Sequence, residues 1–152
     1  MIFYTKAKLS DIMSMQELVS DEVKRGIILH RSNDEIATNI RSYILAKDGA
    51  KIIGFGALHF HAFDLAEVRS LVVDANYRGR GIGKTIIEEM LKEGEKLAVK
   101  KIFALTYMKN FFQVLGFIEI PKESLPAHKI WADCIKCKHF PICDEIALIK
   151  TI

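Results

Sequence analysis

Apolar and polar positions follow two rhythms along this chain, and the points where one gives way to the other divide it into elements. Residues 2–6 alternate weakly, as an edge strand does. Leu9, Ile12, Met13, Leu18, Val19 and Val23 then recur at helical spacing, with Ser10 or Asp11 as N-cap. A polar break from His30 to Glu35 precedes a second, short helix with Ile36 to Ile40 at its core. Two apolar runs, 42–47 and 51–61, surround Lys47-Asp48-Gly49-Ala50, a hairpin signal. Leu65 to Val73 reads as a strand, Ile82 to Ala98 as an amphipathic helix and Lys101 to Tyr107 as another strand. A short helix around Asn110 to Leu115 ends at Gly116, a suitable C-cap. Phe117 to Ile120 and Glu145 to Lys150 are the last strands, and no repeat or low-complexity segment interrupts the order.

The junction between the strand ending at Val73 and the helix beginning at Ile82 carries Arg78-Gly79-Arg80-Gly81-Ile82-Gly83-Lys84. A glycine-rich turn entering a helix offers unpaired backbone N–H groups at the positive end of the helix dipole, a cradle for phosphate. Glycines serving only a tight strand–helix connection would give the same string. A P-loop is excluded because Arg78, not glycine, stands five residues before Gly83-Lys84-Thr85. A dinucleotide fingerprint is excluded because the glycines fall at 79, 81 and 83, with no two-residue gap.

What remains, Arg-x-x-Gly-x-Gly after a strand and at a helix start, resembles the GCN5-related N-acetyltransferases. The resemblance implies an α/β fold in which helices flank a mixed central sheet, the parallel strands 65–73 and 101–107 splaying apart. It also implies one acetyltransferase domain over 1–152, with a cysteine-containing segment at 128–145. Acetyl-CoA is the implied co-substrate, its pyrophosphate on Arg78, Gly79, Arg80, Gly81, Ile82, Gly83 and Lys84. Leu71, Val72 and Val73 would line the thioester and pantetheine, chiefly through backbone groups, and Phe111 and Phe112 belong to the same cofactor region.

On the strand before the loop, period-two alternation puts Leu65, Glu67, Arg69, Leu71 and Val73 on one face. Two charges on an apolar strand need partners. A structural Glu67–Arg69 pair is one reading. The other makes Glu67 the general base that strips an ammonium of its proton before attack on the thioester, the role the family gives to a glutamate on this strand. Many members also have Phe-Tyr-x-x-x-Gly-Phe, whose tyrosine protonates the departing thiolate. Here Phe112 stands at the tyrosine position of Phe111-Phe112-Gln113-Val114-Leu115-Gly116-Phe117, and Leu105 replaces an asparagine found earlier. Either the thiolate leaves unprotonated or another donor serves, Tyr107 being nearest in sequence.

Glu67-Val68-Arg69-Ser70-Leu71, Leu105-Thr106, Ile28-Leu29-His30-Arg31-Ser32 and the segment from Lys129 to Ala147 are similar to the short, kinase-less N-acetylglutamate synthases of arginine biosynthesis. That resemblance implies transfer to the α-amino group of glutamate. A dicarboxylic acceptor needs cationic anchors, and the arginine fork suits carboxylates. Arg31 is the first choice and Arg69 the second, with Thr106 completing the substrate set and Arg25 and Lys109 behind them. Another amine acceptor (glutamine, a peptide N-terminus, lysine or a polyamine) and a non-catalytic acyl-CoA sensor remain open as alternatives.

Cys134, Cys137, His139 and Cys143 offer four ligands for tetrahedral zinc. Reduced structural thiols, a disulfide or a loop packed by Trp131 and Phe140 are the competing readings. His59 and His61 share a strand face with Ile53, Phe55 and Ala57, as packed or edge residues or as neighbours of the site. Composition adds limits. Half of the residues are apolar and 27% charged, the profile of a globular chain. A net charge of +3 does not imply nucleic acid but suits an anionic cofactor. No apolar run approaches the roughly 18 residues of a membrane span, and Met1 to Lys6 lacks a signal-peptide pattern. A cytoplasmic protein acting on a small molecule is expected, with a homodimer through the C-terminal strand or cysteine segment compatible with the sequence.

Overall fold

The computed structural model describes residues 1–125 and 145–152. In chain order the elements are β1 (Ile2–Lys6), α1 (Ile12–Lys24), α2 (Asn33–Thr38), β2 (Tyr43–Asp48), β3 (Lys51–Ala62) and β4 (Leu65–Val73). Then come α3 (Ile82–Lys96), β5 (Lys101–Thr106), α4 (Lys109–Val114), β6 (Ile118–Ile120) and β7 (Ile146–Thr151). The strands form one sheet in the order β1-β2-β3-β4-β5-β7-β6. Every neighbouring pair is antiparallel except β4 and β5, which run parallel. No helix among the described residues is long and apolar enough to cross a membrane.

Each face of the sheet carries its own core. Ile82, Ile86, Ile87 and Met90 of α3 pack with Ile44, Ala46, Ile53, Leu58, Ala66, Val68, Ile102 and Ala104. Ile12, Met15 and Val19 of α1 and Ile36 of α2 pack on the other face with Tyr43, Leu45, Phe55, Ala57 and Val72. Gly54 and Gly56 let α3 lie close to the sheet, because a β-carbon on either would run into Ile86 or Met90. Ile53 thus lies on the α3 side, away from Phe55 and Ala57, contrary to the shared face expected for them. A register shift between Ala46 and Lys47 lies beside it.

Two further expectations shift. The second helix begins at Asn33, inside the stretch expected to be a polar break. Ser32 caps it, its Oγ accepting the Glu35 N–H at 3.1 Å. On β4 the simple alternation fails. Val72 pairs with Phe55 and Arg69 with Ala57, so β4 uses one residue more than β3 over that span. Ser70, at φ +54°, lies in this bulge. Beyond it the faces exchange: Leu71 and Val73 pack against the α3 core, while Val72 joins the α1 side. Leu71 and Val73 therefore do not share a face with Glu67 and Arg69.

Candidate active site

Gly79 and Gly81 both lie in the left-handed region, at φ +80° and +78°, where a side chain is disfavoured. A β-carbon on either would meet no protein atom within 4 Å. Backbone conformation, not crowding, demands glycine here, and the outer side of the turn is open. Gly81 caps α3, whose first bond runs from the Thr85 N–H to Gly81 O at 3.0 Å. The amides of Ile82, Gly83 and Lys84 precede that bond and have no acceptor within the helix. With the helix dipole they attract an anion. Gly81→Ala should cost about 1–2 kcal/mol and lower the melting temperature by roughly 2–8 °C. An unchanged thermal melt would refute the positive φ.

The two loop arginines brace the turn. Arg78 Nε donates to Val73 O at 3.1 Å, and its Nη2 donates to Glu22 Oε1 of α1 at 2.8 Å. The Arg80 guanidinium lies 4.9 Å from the centre of the Tyr77 ring, and Tyr77 donates to Asp48 Oδ2 at 2.8 Å.

Next to the loop the sheet opens. β4 pairs with β5 only from Leu65↔Lys101 to Val68↔Ala104. Past that point Arg69 to Val73 follow β3, while Leu105 and Thr106 follow β7. The Ser70 bulge bends β4 where the two strands part, leaving a wedge bordered by strand backbone without a ladder partner across the gap. Its mouth lies under the α3 N-terminus. There the Phe111 ring stands 3.5 Å from the β-carbon position of Gly83, and Val73 Cγ2 stands 3.7 Å from it.

Glu67 sits at the last paired stretch before the wedge. Among the described residues it is the one polar or charged residue that is fully buried, at 2% exposure. Such a carboxylate requires donors, and two reach its Oε1: His61 Nε2 at 2.8 Å and Arg69 Nε at 3.1 Å. The His61 ring stacks on Phe103 at 5.5 Å and meets His59 edge-on at 4.8 Å. Burial, with Arg69 and His61 next in weight, pushes the His59 pKa down to about 4, so His59 is uncharged at neutral pH.

Arg31 stands just before α2, beside the helix that covers this sheet face. Gln16 of α1 holds its backbone, Nε2 donating to Arg31 O at 2.7 Å. Its Nη1 donates to Glu35 Oε2 at 2.9 Å, and its side chain is only 11% exposed. Both Arg31 and Arg69 act electrostatically on the Tyr43 hydroxyl and the His59 ring. Burial raises the Tyr43 pKa, and the two arginines oppose that rise. A buried carboxylate bonded to Arg69 thus lies beside a strand wedge whose mouth faces the open amides at the start of α3.

Over residues 9–117 the chain matches the model of the Acetyltransferase (GNAT) family. It belongs to that family. An uncharacterized N-acetyltransferase of Chlorobaculum tepidum is 36% identical, the alignment covering 96% of this chain and 94% of that protein. An amino-acid acetyltransferase of Mycobacterium tuberculosis is 31% identical over 76% of this chain and 67% of its own length. Among solved structures, N-acetylglutamate synthase from Neisseria gonorrhoeae, complexed with coenzyme A and N-acetyl-glutamate, superposes with a TM-score of 0.87. It is 20% identical, with 99% of this chain and 35% of that chain covered. A Mycobacterium tuberculosis protein in complex with CoA gives 0.84 at 23% identity, covering 99% of both chains. The chain spans 28% of a longer relative, the amino-acid acetyltransferase of Haemophilus ducreyi. The protein is an N-acetyltransferase with the GNAT fold.

In this GNAT enzyme several expected site residues also make contacts within the fold. Phe112 is a core residue at 3% exposure, in edge-to-face contact with Phe111 and Phe117; the ring beside the α3 N-terminus is Phe111. Thr106 Oγ1 accepts the Met108 N–H at 2.9 Å, shaping the turn into α4 at the wedge rim. Lys109 pairs with Glu119 at 2.8 Å. Cys134, Cys137, His139 and Cys143 lie outside the described residues. Among the described residues no cluster could hold a metal ion. A groove of about 500 Å³, lined by residues including Phe60, Phe63, Leu97 and Val99, lies where β3 ends and β4 begins, away from the loop. Sequence reasoning did not single out Tyr43 or Glu35, and it held His61 as a packed or edge residue or as a neighbour of the site. The one local hint was a histidine near the strand partner of a lone carboxylate.

Proposed function

We propose that this enzyme transfers the acetyl group of acetyl-CoA to the α-amino group of L-glutamate. The observation that carries the reading is the buried Glu67 carboxylate bonded to Arg69, with the largely buried Arg31 held by α1, which covers the same sheet face. A ligand with an ammonium and two carboxylates matches that charge pattern. The names of the relatives, amino-acid acetyltransferases and an N-acetylglutamate synthase, support the same class of acceptor.

In this reading the amides of Ile82, Gly83 and Lys84 hold the pyrophosphate. Arg78 stiffens the loop from behind. The free backbone edge of Leu71 to Val73 guides the pantetheine toward the thioester. Glu67 removes a proton from the substrate ammonium, directly or through one water. The freed amine attacks the thioester carbonyl; the C–N bond forms as the C–S bond breaks, and the nitrogen's second proton passes to the departing sulfur. Thiolate departure ahead of that transfer is reasonable for a thiol whose pKa is about 8.5, and no described side chain has to take the family tyrosine's place. Arg31 binds one substrate carboxylate, sharing or exchanging its present partner Glu35.

Acetyl-CoA turnover measured with glutamate, glutamine, other free amino acids, polyamines and peptides tests the assignment. We expect kcat/KM to be highest with glutamate, at least about tenfold above glutamine, because a site built for a carboxylate leaves its cation uncompensated beside an amide. Higher kcat/KM with glutamine or a peptide would reassign the acceptor. Tight CoA binding without turnover on any amine would make the protein a sensor.

A further inference from the structure

Glu67 lies in a run of four regular β3–β4 rungs, Ala57↔Arg69 to Phe60↔Ala66, closed at both ends by a register shift. One end is the bulge at Ser70. At the other the pairing jumps between Phe60 and Ala62, so His61 is the extra residue. Continued pairing would set His61 opposite Leu65. Instead its imidazole turns back to Glu67, and the side chains of the pair are 2% and 3% exposed. Bulges re-aim side chains and are frequent next to active sites.

We propose that His61 is a positioning residue for Glu67, fixing the carboxylate through its Nε2–H bond so that the base faces the acceptor amine. The inference rests on the reading of Glu67 as the base. An ionised carboxylate only accepts hydrogen bonds, so His61 presents its Nε2 proton to Oε1. Arg69 Nε–H reaches the same oxygen. The last torsion of a glutamate is broad and soft, and two donors on one oxygen narrow it. The imidazole is itself held, stacked on Phe103, which is the β5 register partner of Glu67, and touched edge-on by His59. A base held within a fraction of an ångström of its proton retains the rate advantage of orientation.

Steady-state kinetics of His61→Leu, His61→Gln and His61→Asn test this, alone and with Glu67→Gln. With glutamate as acceptor, His61→Leu should lower kcat about 10- to 100-fold with the acetyl-CoA KM changed less than about twofold. Glutamine carries an N–H near the Nε2 position and should recover kcat to within about threefold of the parent. Asparagine, equally polar but too short to reach Oε1, should not. In the Glu67→Gln background His61→Leu should cause little further loss, because two groups acting as a unit are not additive. Full activity of His61→Leu, equal activity of the glutamine and asparagine variants, or the same loss with and without Glu67 would overturn the proposal. If His61→Leu does not fold, the glutamine–asparagine comparison decides alone. Failure of the base reading is a separate outcome, in which Glu67→Gln by itself turns over like the parent.

Discussion

Replacing Glu67 with glutamine should lower kcat for glutamate acetylation by about 10²- to 10⁴-fold, the usual worth of a general base, while acetyl-CoA binds as before. The substitution keeps the shape and leaves Oε1 to accept from His61 Nε2 and Arg69 Nε, so the buried cluster keeps its two donors. What it removes is a site for the ammonium proton. The deficit should shrink as pH rises, because more of the acceptor amine is then already free and needs no base. Kinetics across pH 6–9, with a CoA titration and a thermal melt as controls, check both parts. Near-parental turnover across that range would sink the assignment. A uniform loss with weakened CoA binding would point instead to a distorted wedge, since Glu67 lies one residue before the last β4–β5 rung at Val68↔Ala104.

Arg31→Ala should raise the glutamate KM about 10- to 100-fold, the cost of one or two charge-assisted hydrogen bonds, with acetyl-CoA affinity unchanged. The side chain is 11% exposed and pairs with Glu35, itself 35% exposed, so Glu35 can turn to water when its partner goes. Loss of the buried arginine stem should also lower the melting temperature, so a thermal melt accompanies the kinetics. Arg31→Lys keeps the charge but loses the fork, and should fall between parent and alanine. Unchanged glutamate kinetics in the alanine variant would remove Arg31 from the acceptor site. That result would leave Arg69 as the remaining cation, already committed through Nε to Glu67.

The local features were legible in the sequence. The Arg78–Gly83 turn was readable because two positive-φ glycines and a helix start are properties of adjacent residues. The hairpin at Gly49, φ +62°, and the apolar stripe of α3 belong to the same class. The splayed strand pair came through family resemblance, since no periodicity within one strand reports what its neighbour does.

Period-two alternation predicted one face from Leu65 to Val73, and the structure exchanged Leu71 and Val73 with Val72 at the Ser70 bulge. A bulge is a mismatch between two strands, so neither strand encodes it alone. The placement of Arg31 depends on α1, whose Gln16 holds the Arg31 backbone, and on both helices packing over the same sheet face. The bond from His61 to Glu67 depends on a second register shift. By itself the sequence determined the glycine turn that opens α3 and the Glu67 carboxylate on the strand before it, because those are short-range matters of backbone conformation and residue order. Only the tertiary structure decided which side chains meet that carboxylate, because register and helix docking bring together residues that no local pattern links.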